Sequence, residues 1–162
     1  ATRRVVAGWH LESSDRTLVM ATELSPMGMP AGVDLVDATD ESFLKLVCLR
    51  NGRSIDEAHH YSRIMGRLGS SATGLRLGDE AVAFAAVTAT TSAVFSLAVD
   101  PGQRRRGVAS KVMHAAMAWA ADAGATDQFL QVLATNEPAV GLYDALGFAV
   151  AYEYSYLQPS DA

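Results

Sequence analysis

The sequence predicts a single α/β (α+β) domain of antiparallel strands and helices, on three observations. The chain has 162 residues, enough for one domain with a real core. Hydrophobic residues make up 49% and charged residues 19%, a balance that excludes a disordered chain. The apolar pattern changes along the chain between strand-like alternation and helical stripes, the mixture expected of packed sheets and helices. No apolar run approaches the roughly 18 residues of a membrane span. "ATRRVVAGWH" has no signal-peptide core followed by a cleavage site. The absence of an initiator Met fits either processing before Ala1 or a longer parent chain. The single cysteine, Cys48, excludes an internal disulfide framework and fits a reducing, cytoplasmic setting.

Taken in order, residues 4–11 and 17–24 read as two strands joined by the polar turn "ESSDR", followed by the breaker-rich linker 25–32. Residues 40–50 read as a helix capped by Thr39 or Asp40, with Phe43, Leu44, Val47 and Cys48 on one stripe. A second helix runs from about Ile55 to Leu68, with Ser54 as its cap and Gly69 past its end. "TGLRLGDEAVAFAAVTA" reads as a hairpin turning at "LGDE", and 93–100 as a strand closed by Pro101-Gly102. A long helix follows from about Gly107 to Ala123, then a strand at 127–134. A short helix with Pro138 in its first turn comes next, ending at Gly147. The final strand, "FAVAYEYSYL", places Phe148, Val150, Tyr152, Tyr154 and Tyr156 on one face. Core packing is the reading favoured for that face; a substrate pocket or a homodimer interface is the alternative, since tyrosine hydroxyls prefer one wet end.

Charge singles out one stretch. The net charge is -5 and the pI near 5.2, which argues against general nucleic-acid binding. Yet Arg104, Arg105 and Arg106 stand together immediately before Gly107 and the long helix. The first turn of a helix offers N–H groups without intrahelical partners and the positive end of the macrodipole. Guanidinium groups beside it add charge and bidentate geometry for phosphate. The stretch therefore reads as a pyrophosphate cradle, although neither a Walker A loop nor a Rossmann fingerprint is present. On these residues alone, a solvated charged turn explains the pattern as well.

A second motif, "NEPAVGLYDALGF" at 136–148, shifts the balance towards the cradle. Together the two segments resemble the GCN5-related N-acetyltransferase (GNAT) superfamily. Arg104, Gly107 and Ala109 fit that family's phosphate-loop pattern. Asn136, Ala139, Leu142, Tyr143, Leu146, Gly147 and Phe148 fit its later segment. The resemblance covers about residues 73–156. It implies a mixed, mostly antiparallel twisted sheet flanked by helices, with splayed central strands at 93–100 and 127–134. It implies acetyl-CoA as cosubstrate and a primary amine, of a small molecule or a protein, as acceptor. Main-chain groups near Leu97, Ala98 and Val99 would pair with the pantetheine arm. Backbone N–H groups from Arg104, Arg105, Arg106, Gly107, Val108 and Ala109 would hold the pyrophosphate. Tyr143 would protonate the departing thiolate, and Asn136 would lie beside the cofactor channel. A non-catalytic acyl-CoA-binding module of the same fold is the alternative reading, and an anion- or nucleic-acid-binding domain a third.

The general base is not identifiable. Many family members have an acidic residue on the strand before the phosphate loop, but "TTSAVFSLAV" at 90–99 contains none. Ordered water, Glu80, Glu12 and His10 remain candidates, and none is assigned. No metal site is expected: His59 and His60 are adjacent on a helix and should point about 100° apart. His114 reads as a helix-surface residue and Cys48 as an inert core residue. The N-terminal 70 residues resemble the family poorly, because a typical member opens with one strand and then a helix pair. Residues 1–30 are a variable hairpin and linker that either extends the sheet or is the remnant of a longer, tandem N-terminal part.

Overall fold

The computed structural model describes residues 11–13 and 15–159. The elements run β1 (Leu11–Ser13), β2 (Thr17–Glu23), β3 (Asp34–Val36), α1 (Glu41–Arg50), α2 (Ala58–Leu68), β4 (Ala72–Leu77), β5 (Ala81–Thr88) and β6 (Thr91–Val99). They continue with α3 (Val108–Asp122), β7 (Asp127–Leu133), α4 (Glu137–Ala145), β8 (Ala149–Tyr154) and β9 (Leu157–Pro159). One sheet has seven strands in the order β3-β4-β5-β6-β7-β2-β8, and β1 pairs with β9 in a second, two-stranded one. β3, β4, β5 and β6 pair antiparallel in turn, whereas β6 and β7 run parallel. This is the mixed, mostly antiparallel arrangement expected. The chain divides into two compact units, residues 21–130 and residues 1–20 with 131–162.

Capping explains where the helices of the larger unit start. Asp40 accepts the Phe43 N–H at 2.8 Å and the Ser42 hydroxyl at 2.6 Å, so it closes the first turn of α1. Those same two bonds, the Ser42 hydroxyl foremost, hold its carboxyl below the ordinary 3.8. The contribution of the cap is therefore complete above that value and is lost as pH falls through the lower folded one. Asp40→Asn should flatten the acid limb of the unfolding curve, measured by circular dichroism between neutral and strongly acidic pH. Ser54 caps as expected, but the turn it opens is a 3₁₀ turn, Ile55–Glu57, with Glu57 reaching back to the Ser54 N–H. α2 continues from it.

β5 is buried at every residue from Ala81 to Ala85, so both its faces are covered, and α1 and α3 both pack on it. On the α1 side, Phe84 gathers three rings: Phe43 edge-on at 5.2 Å, Tyr61 stacked at 5.6 Å and Phe95 stacked at 5.3 Å. α3 meets the sheet mainly through alanines and Val112, Met113 and Met117, small side chains that let a helix approach closely. Gly74 makes room for Phe43. A Cβ there would stand 2.5 Å from the Phe43 ring and 2.7 Å from Val36 Cγ2. Gly74→Ala should destabilise the protein by about 1–3 kcal/mol in chemical denaturation, the usual penalty for overpacking a filled core.

The structure differs from the expectations at several points. A short strand, β3, lies just past the expected linker and pairs with β4; with α1 and α2 it supplies the one strand and helix pair that open a typical family member. Most of the expected strand 4–11 lies outside the described residues. Leu11–Ser13 pairs with Leu157–Pro159, and β2 stands in the seven-stranded order, so the two strands are not partners of one hairpin among the described residues. The tyrosine face of the last strand is not core. Phe148 is 1% exposed, but Val150 is 51%, Tyr152 59% and Tyr156 65% exposed. β8 ends the strand order. His59 and His60 bring their rings to 3.8 Å between centroids instead of diverging, with His59 Nδ1 against the Asp56 carbonyl. Cys48 is buried, which raises its thiol above the ordinary value, and His114 is exposed on α3 with Nδ1 at 2.8 Å from the Ser110 carbonyl oxygen.

Candidate functional site

In the larger unit, β6 leads through a 3₁₀ turn, Pro101–Gln103, and the three arginines into α3. Asp100 holds the start of this connection. Its side chain accepts the Gly102 N–H at 2.8 Å and pairs with Arg50 Nη1 at 2.7 Å, while its N–H donates to the Glu80 carbonyl at 2.7 Å. Arg50 also donates from Nε to the Asp79 carbonyl at 2.9 Å. The end of α1, the β4–β5 turn and the start of the loop are thereby tied together. Neither Arg50 nor Asp100 stood out in the sequence; each belonged to a stretch read only as an element ending.

Beyond that anchor the main chain alternates. Arg104 has φ -65°, Arg105 +63° and Gly107 +77°, with Arg106 between them on the negative side. Alternation of this kind gathers successive N–H groups into a concave anion-binding nest. Gly107 caps α3 in the left-handed conformation without any side-chain bond, and the first turn of the helix carries no acidic residue. Its N–H groups thus keep their capacity for an anion. A Cβ on Gly107 would meet no atom within 4 Å, so the glycine is required by its φ and the space in front of it is open. Arg104, Arg105, Arg106 and Gly107 are exposed, Ala109 is half-buried, and Val108 turns into the core. Among the described residues, no carboxylate lies within ion-pair distance of Arg104, Arg105 or Arg106; Arg106 Nη1 donates to Gln103 Oε1 at 2.8 Å.

β6 itself is irregular. Its pairing with β5 shifts register between Val82 and Phe84, and Ser96 there has φ +54°. A serine in that region is strained, and such strain clusters where a strand is re-aimed. The Asn51 amide donates to the Ser96 carbonyl at 3.4 Å. Leu97, Ala98 and Val99 follow the bulge directly and are half-buried. On the other edge of β6, the parallel ladder to β7 spans three pairs only, from Thr91 with Asp127 to Ala93 with Phe129. The ladder ends there. The bulge left no trace in the sequence, because a register shift depends on the partner strand.

In the smaller unit, Asn136 caps α4, its side chain accepting the Ala139 N–H at 3.4 Å, with Pro138 in the first turn. The side chain of Asn136 is exposed. Tyr143 is 8% exposed and packs against Phe148 at 6.1 Å between centroids. The chain reverses behind it through Gly147 at φ +87°, and the Phe148 N–H returns to the Tyr143 carbonyl at 3.0 Å. Burial pushes the Tyr143 phenol above its ordinary 10.0, so it holds its proton throughout the neutral range. Of the candidate bases, His10 and the Glu12 side chain lie outside the described residues, and the Glu80 side chain is exposed in the β4–β5 turn.

What the larger unit offers is a helix start with no side-chain cap, preceded by three exposed arginines and an alternating backbone. This is an acyl-transferase type of α/β fold. The profile of the acetyltransferase (GNAT) family matches residues 41–148, more than half of the chain, and the chain belongs to that family. The match reaches back to α1, well before residue 73 where the resemblance was expected to begin, and stops at Phe148. No curated protein matches the chain in sequence. Among solved structures, the fold is shared with a GNAT-family acetyltransferase from Novosphingobium aromaticivorans (TM-score 0.66, 20% identity, covering 96% of this chain and 69% of that one). It is shared with a GCN5-related N-acetyltransferase from Kribbella flavida (TM-score 0.68, 17% identity, 99% and 64%). A tandem GNAT protein of the clavulanic acid pathway is also similar (TM-score 0.71, 16% identity, 97% and 58%). The chain thus spans under two thirds of the length of the last two. Among the described residues, no helix is long and apolar enough to cross a membrane.

Proposed function

We propose that this chain transfers the acetyl group of acetyl-CoA to a primary amine of a small molecule or protein by direct attack. The observation that carries the reading is the start of α3, which has no side-chain cap, behind an alternating-φ loop of arginines, in a chain with the family's second motif intact. The bound thioester supplies an activated acyl carbon and a thiolate leaving group. The N–H groups of Arg104 to Ala109 hold the diphosphate, and the free edge of β6 at Leu97 to Val99 pairs with the pantetheine amides. The neutral amine nitrogen attacks the carbonyl carbon and its surplus proton passes to water; the carbonyl re-forms as the carbon–sulfur bond breaks. Main-chain N–H donors on β6 stabilise the charge that develops on the carbonyl oxygen. Tyr143 gives its proton to the departing thiolate; burial raises the phenol, so the transfer runs uphill and needs the two held together. Asn136 serves as the cap that orients α4 and thereby Tyr143. A reducing, cytoplasmic setting suits the free thiol product.

A thiol-release assay across a panel of amines tests this, with calorimetry of coenzyme A beside it. Turnover with any amine supports the reading. Binding of coenzyme A without turnover would favour the non-catalytic module, for which the missing carboxylate on β6 is the specific motive. The cradle also makes an ionic prediction. Arg104→Ala combined with Arg105→Ala should weaken coenzyme A binding by about tenfold at low salt and by less as salt rises, since both side chains are exposed and screened.

A further inference from the structure

Three polar side chains, Thr73, Ser92 and Gln128, are buried among the described residues, and two of them touch. Ser92 and Gln128 are direct partners in the β6–β7 ladder, one pair before the last. Both are 0% exposed. Gln128 Nε2 donates to Ser92 Oγ at 3.2 Å and to the Ala116 carbonyl in the middle of α3 at 3.4 Å. The carbonyl of Ala116 only accepts, which fixes the amide's orientation. Gln128 Oε1 is buried with no partner among the described residues. An apolar side chain of the same volume would avoid that unpaired acceptor, so a glutamine here is unfavourable for stability alone. What the carboxamide adds is direction. It joins β6, β7 and α3 at one point, next to the place where the ladder ends.

We propose that Gln128 is a positioning residue. Through Ser92 and the Ala116 carbonyl it fixes where β6 leaves β7, and so holds the β6 edge, Val94 to Val99, in the course a pantetheine arm requires. The role assigned to that edge rests on the acetyl-CoA reading above; the clamp itself does not. In the buried alternation Gln128, Leu130, Val132, the glutamine is the one polar member, a signal legible in "DQFLQVLA".

The test compares Gln128→Met, Ser92→Ala and Ser92→Thr with wild type. Amide hydrogen exchange is read in the ligand-free protein, and calorimetry with coenzyme A and with adenosine 3′,5′-bisphosphate. Gln128→Met and Ser92→Ala should raise exchange at residues 94–99 by about tenfold, while β4 and β5 keep their protection and the melting temperature does not fall in Gln128→Met. Both should weaken coenzyme A about tenfold and leave the bisphosphate, which lacks the pantetheine arm, unchanged. Ser92→Thr retains the hydroxyl and should restore wild-type exchange. Wild-type protection of 94–99 in both disrupting variants overturns the clamp. If Gln128→Met does not fold, Ser92→Ala decides alone. Altered exchange in a protein that binds no coenzyme A leaves the clamp standing and refutes the donor reading instead.

Discussion

Tyr143→Phe is expected to lower acetyl transfer by about two to four orders of magnitude, the usual span for a lost general acid. The ring stays. Phenylalanine preserves the packing on Phe148 and the turn through Gly147, so folding and coenzyme A affinity should remain near wild type. The loss should fall on kcat, because the hydroxyl acts only as sulfur departs. Single-turnover measurements, which separate chemistry from binding and release, check this. The pH profile gives a second handle. Since burial holds the phenol above 10.0, an alkaline fall in activity caused by losing the Tyr143 proton must lie above that value. Stability carries the same sign. The contribution of the protonated phenol is complete below its ordinary value and is lost as pH climbs through the raised folded one. Wild type should therefore lose stability relative to Tyr143→Phe on the strongly alkaline side, and the two should coincide at neutral pH.

The second large effect lies at Gly107. Gly107→Val should weaken acetyl-CoA binding by about a hundredfold, or nearly 3 kcal/mol. A β-branched residue resists φ +77°, at a cost of about 1–2 kcal/mol. Relaxing that conformation would turn the first N–H groups of α3 away from the nest. A side chain that keeps it instead stands in the open space where the diphosphate is proposed to sit. No protein atom lies within 4 Å of the added Cβ, so the variant should fold. Calorimetry with coenzyme A reads the affinity and thermal denaturation confirms the fold. Gly107→Ala, with less bulk in the same space, should show a smaller loss.

Much of this could be read from local chemistry. α1 is set by Asp40 and its apolar stripe, α3 by Gly107 and Gly124, and α4 by Asn136, Pro138 and Gly147; those signals lie in the chain itself. What required partners was not legible. β3 is three residues, Asp34, Leu35 and Val36, with no alternation to mark it, and exists by pairing with β4. The alternation in β8 marked Val150 and Tyr152 for the core, but periodicity reports only which residues share a face, not whether another element packs on that face. The roles proposed for Arg104 to Ala109 and for Tyr143 come from the family resemblance of the two motifs. The Ser96 bulge, the Arg50–Asp100 anchor and the Ser92–Gln128 clamp are long-range contacts, and only the last left a mark, a polar residue on a buried face.

The most direct measurement is a crystal structure of this chain with acetyl-CoA. The account predicts the diphosphate oxygens within about 3 Å of main-chain N–H groups between Arg105 and Ala109. A loop left empty, with the nucleotide bound elsewhere or not at all under saturating ligand, would contradict it.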